Sequence, residues 1–146
     1  MPVFDFELMV RKYFYFLIDD FHFIKNKNTF GYEKNGLEIE FYYGQGAVDI
    51  IFFIRISNET FKPYVSRSFY LLDIINKDVN KIKTGRVEFP ENIPHYLTAA
   101  EDVDKYLSFC AELMKKYCVI QLEGDLSVFE KIHLQRRKNH AQRSKK

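Results

Sequence analysis

Between Phe30 and Ile56 the chain reads FGYEKNGLEIEFYYGQGAVDIIFFIRI, three runs of alternating residues separated by two short turns. This stretch constrains the fold most, because it fixes a pairing register. Asn35-Gly36 tolerates the positive φ that a two-residue type I′ hairpin needs at both central positions. With the turn there, Lys34 faces Leu37, Glu33 faces Glu38, Tyr32 faces Ile39 and Phe30 faces Phe41. Strand side chains alternate with period two, so Phe30, Tyr32, Leu37, Ile39 and Phe41 share one face. In the third run Val48, Ile50, Phe52, Ile54 and Ile56 share a face. Joining the two faces requires Phe41 opposite Ile50 and Ile39 opposite Phe52. That implies a two-residue loop at Gln45-Gly46, or a longer one with a bulge. An unbulged three-residue loop would turn Asp49 into the core.

The same register assigns an outward face carrying Glu33, Glu38, Glu40, Tyr42, Asp49, Ile51, Phe53 and Arg55. Directly opposed like charges at Glu33 and Glu38 are destabilising, and Lys34 and Arg55 are the cations at hand to relieve them. Two readings of this face follow. In one it is solvated at its charged end, with Ile51 and Phe53 tucked under a helix. In the other it is an acidic, partly aromatic docking surface for a basic protein, with Glu33, Glu38, Glu40 and Asp49 supplying charge and Tyr42 and Phe53 the anchors.

Around the meander the pattern is helical. Asp5 is placed to cap a helix over 6–18, with Phe4 and Met9 as a hydrophobic staple. Phe21–Lys25 reads as a strand and 26–28 as a turn. Ser66 or Ser68 is placed to cap a short helix through Ile75, on which Phe69, Leu72 and Ile75 have helical spacing. Residues 77–96, with Gly85, Pro90 and Pro94, form a long loop that has room for a short strand at Arg86–Phe89. TAAE at Thr98–Glu101 and SVFE at Ser127–Glu130 have capping-box spacing. Behind the first, Val103, Tyr106, Leu107, Cys110, Leu113, Met114 and Tyr117 make an apolar stripe.

The expected fold is therefore α+β: an antiparallel meander of about four strands packed against N-terminal and C-terminal helices. A chain of 146 residues is expected to form one domain, here 1–135, followed by a basic, disordered tail over 136–146. Nineteen of the 25 aromatic residues (15 Phe, 10 Tyr) lie in residues 1–70, which places most of the core there.

Charge and motif content narrow the function classes. The net charge of +2 divides into −5 over residues 1–130 and +7 over 131–146. Arg136, Arg137, Lys138 and Arg143 are the candidates for nucleic-acid contact. The acidic body repels the same phosphates, and the tail has no aromatic residue for base stacking, so nucleic acid is the weaker expectation. The four histidines, His22, His95, His133 and His140, lack metal-ligand spacing and are read as surface or boundary residues. Cys110 and Cys118 sit eight residues apart on one expected helix, roughly 12 Å, too far for a disulfide. No phosphate loop, nucleophile elbow or carboxylate pair stands out, so no catalytic residue, metal or cofactor is assigned and the chain is read as a non-enzyme. An enzyme with a cleft along the 77–96 loop is the third reading. The start of the chain carries Asp5 and Glu7 and does not read as a secretory signal. The longest apolar run, Tyr13–Ile18, is too short to cross a bilayer, so a cytoplasmic location is expected.

The segment Leu122-Glu123-Gly124-Asp125-Leu126-Ser127-Val128-Phe129-Glu130-Lys131-Ile132, together with Tyr32-Glu33, Val48-Asp49-Ile50 and Phe69-Tyr70-Leu71-Leu72-Asp73, resembles a pattern in short bacterial proteins of unknown function. The likeness covers residues 5–135 and its motifs are mostly structural. It implies an immunity-protein-like or otherwise non-catalytic α+β domain. An immunity protein neutralises a toxin by docking over it, and with the acidic sheet face the expected partner is a basic toxin domain.

Overall fold

A computed structural model describes residues 5–26, 30–54, 68–77 and 89–144. The sheet is a five-stranded antiparallel meander in sequential order: β1 (Ile24–Lys25), β2 (Gly31–Lys34), β3 (Leu37–Gly44), β4 (Ala47–Ile54) and β5 (Ser68–Tyr70). Among the described residues six helical segments accompany it: α1 (Phe6–Phe14), α2 (Phe16–Asp19), α3 (Leu71–Lys77), α4 (Ala100–Tyr117), α5 (Val119–Leu122) and α6 (Ser127–Ser144).

Both turns are two-residue loops with the positive φ pair of a type I′ hairpin. Asn35 and Gly36 lie at 49° and 84°, Gln45 and Gly46 at 52° and 75°. The register is the one the alternation requires, with Glu33 opposite Glu38, Tyr32 opposite Ile39, Phe41 opposite Ile50 and Ile39 opposite Phe52. Tyr32, Leu37, Ile39, Phe41, Val48, Ile50, Phe52 and Ile54 are accordingly buried.

The helices tie into this inward face through rings. Phe14 of α1 meets Phe41 with centroids 4.7 Å apart, and Phe129 of α6 meets Phe52 at 5.6 Å and Phe69 at 5.1 Å. Helix α4 adds Val103, Leu107 and Met114 to the core. It is tied to α1 by the Tyr13 hydroxyl, which donates to the Asp104 carboxylate at 2.6 Å. These ring contacts between helices and sheet engage inward residues.

Several local expectations are corrected. The helix expected over 6–18 is interrupted at Tyr15, giving α1 and α2, although Asp5 does cap it, accepting the Leu8 N–H at 3.1 Å. The strand expected over 21–25 shrinks to Ile24–Lys25. His22 takes a φ of 62° and its N–H reaches back to the Ile18 carbonyl, the single bond of an αL cap, while the Phe23 N–H bonds the Leu17 carbonyl, and these use up the first half of the run. Ser68 caps nothing. Ser68–Tyr70 is a fifth strand that sets Phe69 opposite Phe52, and the helix starts only at Leu71, with Leu71, Ile74 and Ile75 buried. Extended backbone wins because it places the Phe69 ring between Phe52 and Phe129.

Neither capping box forms as spaced. Ala99 is the N-cap of α4 and carries no side-chain bond, while Glu101 and Asp102 favour the helix start through its dipole. At α6 Asp125 accepts the Ser127 N–H at 2.9 Å, after Gly124 turns the chain with a φ of 116°. Cys118 follows the end of α4 instead of lying within it, and both cysteines are buried thiols. His133 is fully buried in α6, not a boundary residue.

The basic segment is not a tail in this structure: α6 runs through it to Ser144, held at its root by Arg136. The Arg136 guanidinium donates to the Ser68 carbonyl at 2.7 Å and lies 4.7 Å over the Phe69 ring.

The Phe4 part of the staple, residues 27–28 of the turn, Arg55, Ile56, Ser66, most of the Arg86–Phe89 strand and residues 78–88 of the long loop lie outside the described residues. From Phe89 to Thr98 the loop docks on the body. The Leu97 N–H donates to the Gly46 carbonyl at 2.8 Å, the Tyr43 hydroxyl donates to the Leu97 carbonyl, and Phe89 stacks on Tyr106 at 5.5 Å. Among the described residues no helix is long and apolar enough to cross a membrane.

Candidate functional site

The register arranges the outward side chains in rows. Ile24, Glu33, Glu38, Phe53 and Ser68 form the first, Gly31, Glu40, Ile51 and Tyr70 the second, and Tyr42 and Asp49 the third. Of these, Ile24, Tyr42 and Tyr70 are exposed large hydrophobics, and Asp49 is exposed. Glu33, Glu38, Ile51 and Phe53 are half-buried.

The opposed Glu33 and Glu38 are bridged by a residue that charge counting overlooks. The Asn26 side-chain amide donates to Glu33 at 2.8 Å and to Glu38 at 3.0 Å. Its two N–H bonds thus turn a repulsive pair into a clamp. Asn26 reaches them because its own N–H bonds the Gly31 carbonyl, which holds it beside β2 in phase with Ile24. Glycine at 31 is required here, since a Cβ would collide with the Ile39 carbonyl oxygen. The signal was present in the sequence as a polar residue two positions beyond outward Ile24, but its partners emerge only once β1 pairs with β2.

Lys34 does not relieve the two carboxylates. It lies in phase with inward Leu37, donates to the Leu122 carbonyl at 3.0 Å and covers the Phe23 ring. Glu40 also departs from expectation. It is 2% exposed and accepts the Tyr42 hydroxyl at 2.7 Å, so its carboxylate is not presented to a partner. The docking candidates therefore separate: Tyr42 and Asp49 are open, Glu33, Glu38 and Phe53 are half-covered, and Glu40 is closed.

The nucleic-acid candidates separate too. Arg136 is committed to Ser68 and Phe69, and burial pushes its pKa down against the opposing pull of Asp73. Arg137 is half-buried, while Lys138 and Arg143 stand exposed on α6.

Among the described residues no group of three or more His, Cys, Asp or Glu side chains is placed to hold a metal ion. Burial pushes the Cys110 thiol up to about 12, so at neutral pH it is a protonated core group and not a nucleophile. Burial likewise raises the Tyr106 phenol. The sign of the resulting pH dependence is fixed: the unfolded chain ionises Cys110 from its ordinary value of 9.0, whereas the folded chain holds the proton to about 12. This contribution to stability is complete below pH 9 and is lost progressively as pH rises toward 12. Melting temperatures followed by circular dichroism should start to fall above pH 9 and keep falling to pH 11, and the native thiols should resist an aromatic disulfide reagent at pH 8 until urea unfolds the chain. An unchanged melting temperature at pH 11, or immediate thiol reaction, would contradict this placement.

The structure defines an α+β domain built on an antiparallel meander, with helices tied to the inward face. No protein-family model matches the chain, and neither the curated proteins nor the solved structures contain a match to it.

Proposed function

We propose that this chain is a small non-catalytic protein-binding domain that docks a basic partner on the outward sheet face. The observation that carries this reading is the exposure of Tyr42 and Tyr70, flanking Ile51 and Asp49, on a face whose charged side chains, among the described residues, are carboxylates. Tyrosines bring large contact area with few rotors to lose, and carboxylates steer a basic partner and penalise an acidic one. Relative to the sequence reading, the interface moves toward Tyr42, Asp49 and Tyr70, because Glu40 is closed and Asn26 already occupies Glu33 and Glu38. The resemblance to immunity-like bacterial proteins extends the proposal to mechanism: the partner is a basic toxin domain, inhibited by being covered.

The test is affinity capture with the immobilised chain at low and high salt, followed by mass spectrometry. A basic protein should be retained by the wild type, released by salt, and lost from a variant combining Tyr42→Ala with Asp49→Lys. Identical retention by that variant, with its circular dichroism unchanged, would remove this face from consideration.

A further inference from the structure

The partner's chemistry can be read more finely where the outward face meets α3, in an inference that rests on the docking reading above. Strand β4 outruns its neighbour: β5 pairs only with Ile51–Phe53 and then turns into α3 at Leu71, leaving Val48–Ile50 beside a cavity. The cavity has a volume of about 260 Å³. Its walls combine three chemistries. Val48, Ile50 and Leu71 are apolar and buried, Tyr70 and Tyr106 supply aromatic rings, and Asp49 and Asp73 supply two exposed carboxylates. Asp49 is near enough to Tyr106 for its charge to add to the effect of burial on the phenol.

This combination suits one kind of occupant. The volume falls below the roughly 300–1,000 Å³ of small-molecule pockets, which scales it to a single side chain. An apolar floor under a charged mouth fits a side chain with an aliphatic stem and an ionic head. Arginine fits better than lysine, because its planar guanidinium stacks on rings and spreads five donors over separate acceptors. Among the described residues, Arg136 does not compete for the site: it feels Asp73 but is held at Ser68 and Phe69 and lines a different recess, between α3 and α6.

We propose that the cavity bounded by Asp49, Tyr70, Asp73 and Tyr106 is the anchor pocket for an arginine side chain of the basic partner. Asp49 and Tyr70 belong both to this pocket and to the outward face, so an arginine seated here lies at the rim of the docked partner and sets its register.

The pocket can be tested without the partner. Acetyl-arginine methylamide, titrated into the isotope-labelled chain, should give saturable amide shifts at Asp49, Tyr70 and Asp73, with an affinity in roughly the millimolar range. Acetyl-citrulline methylamide, the uncharged near-isostere, should give none. Combining Asp49→Asn with Asp73→Asn should weaken arginine binding roughly tenfold or more while the remaining spectrum keeps its dispersion. Equal shifts with citrulline, shifts elsewhere only, or no saturable shift on the wild type would each overturn the proposal, whatever the variants do. If arginine fails to bind while Tyr42→Ala with Asp49→Lys still abolishes capture, the pocket falls and the docking face stands. If arginine binds and capture ignores the face, the docking reading falls and the pocket stands as a site for arginine.

Discussion

Asn26→Asp is expected to destabilise the domain by about 3–5 kcal/mol at neutral pH, and to recover much of that loss on acidification. The substitution barely changes shape. It exchanges the amide that donates to Glu33 at 2.8 Å and Glu38 at 3.0 Å for a third carboxylate at the same point. Position 26 is only 6% exposed, so water does little to screen the new charge. Desolvation and two neighbouring anions both favour the protonated form, which raises the introduced carboxyl in the folded chain above its unfolded value of about 3.9. The sign follows: the folded variant binds a proton that the unfolded variant lacks, so the penalty is full at neutral pH and shrinks as pH falls toward the unfolded pKa. Urea titrations of both proteins at pH 7 and pH 5 should show the gap between their midpoints closing at the lower pH. A gap of the same size at both would mean that the amide's role is steric and not electrostatic.

Phe129→Ala should cost about 3–5 kcal/mol, the usual penalty for emptying a buried aromatic site. Phe129 has no exposed surface and packs against both Phe52 and Phe69. It is thus a ring that joins α6 to the long strand β4 and the short strand β5. Collapse into the vacancy is hindered because Arg136, two turns along the same helix face, is anchored to the Ser68 backbone. Leu134→Ala on the same helix serves as the control: Leu134 is 51% exposed and should change stability by about 0.5 kcal/mol or less. Equal shifts in urea midpoint for the two variants would show that α6 does not close the core as described.

The comparison of pattern with structure has a consistent physical shape. Information carried by period and by turn chemistry was legible. The type I′ turns at Asn35-Gly36 and Gln45-Gly46 and the alternation on either side specify the β2–β3–β4 register residue by residue. A one-residue slip would invert every side chain, so few alternatives survive. Local signals for short elements were less reliable. Ser68–Tyr70 has spacing compatible with a helix, and only pairing with β4, which sets Phe69 beside Phe52 and against Phe129, makes it a strand. Thr98 and Ser127 have the right spacing for caps, but the chain path makes Ala99 the N-cap of α4 and puts Ser127 inside α6, its N–H taken by Asp125.

The same division holds at the candidate site. Sequence alone determined which residues share the outward face and that Glu33 stands opposite Glu38, because both follow from pairing neighbours in a hairpin. Only the tertiary structure decided what those residues are free to do. It brought Asn26 between the two glutamates, closed Glu40 beneath the Tyr42 hydroxyl, and drew Lys34 and Arg136 to backbone carbonyls. It also ended β5 early enough to leave a cavity beside Asp49. Register is a local property, fixed by a few turn residues and a period of two. Burial, partners and cavities depend on contacts between segments far apart in the chain, and no local pattern encodes them.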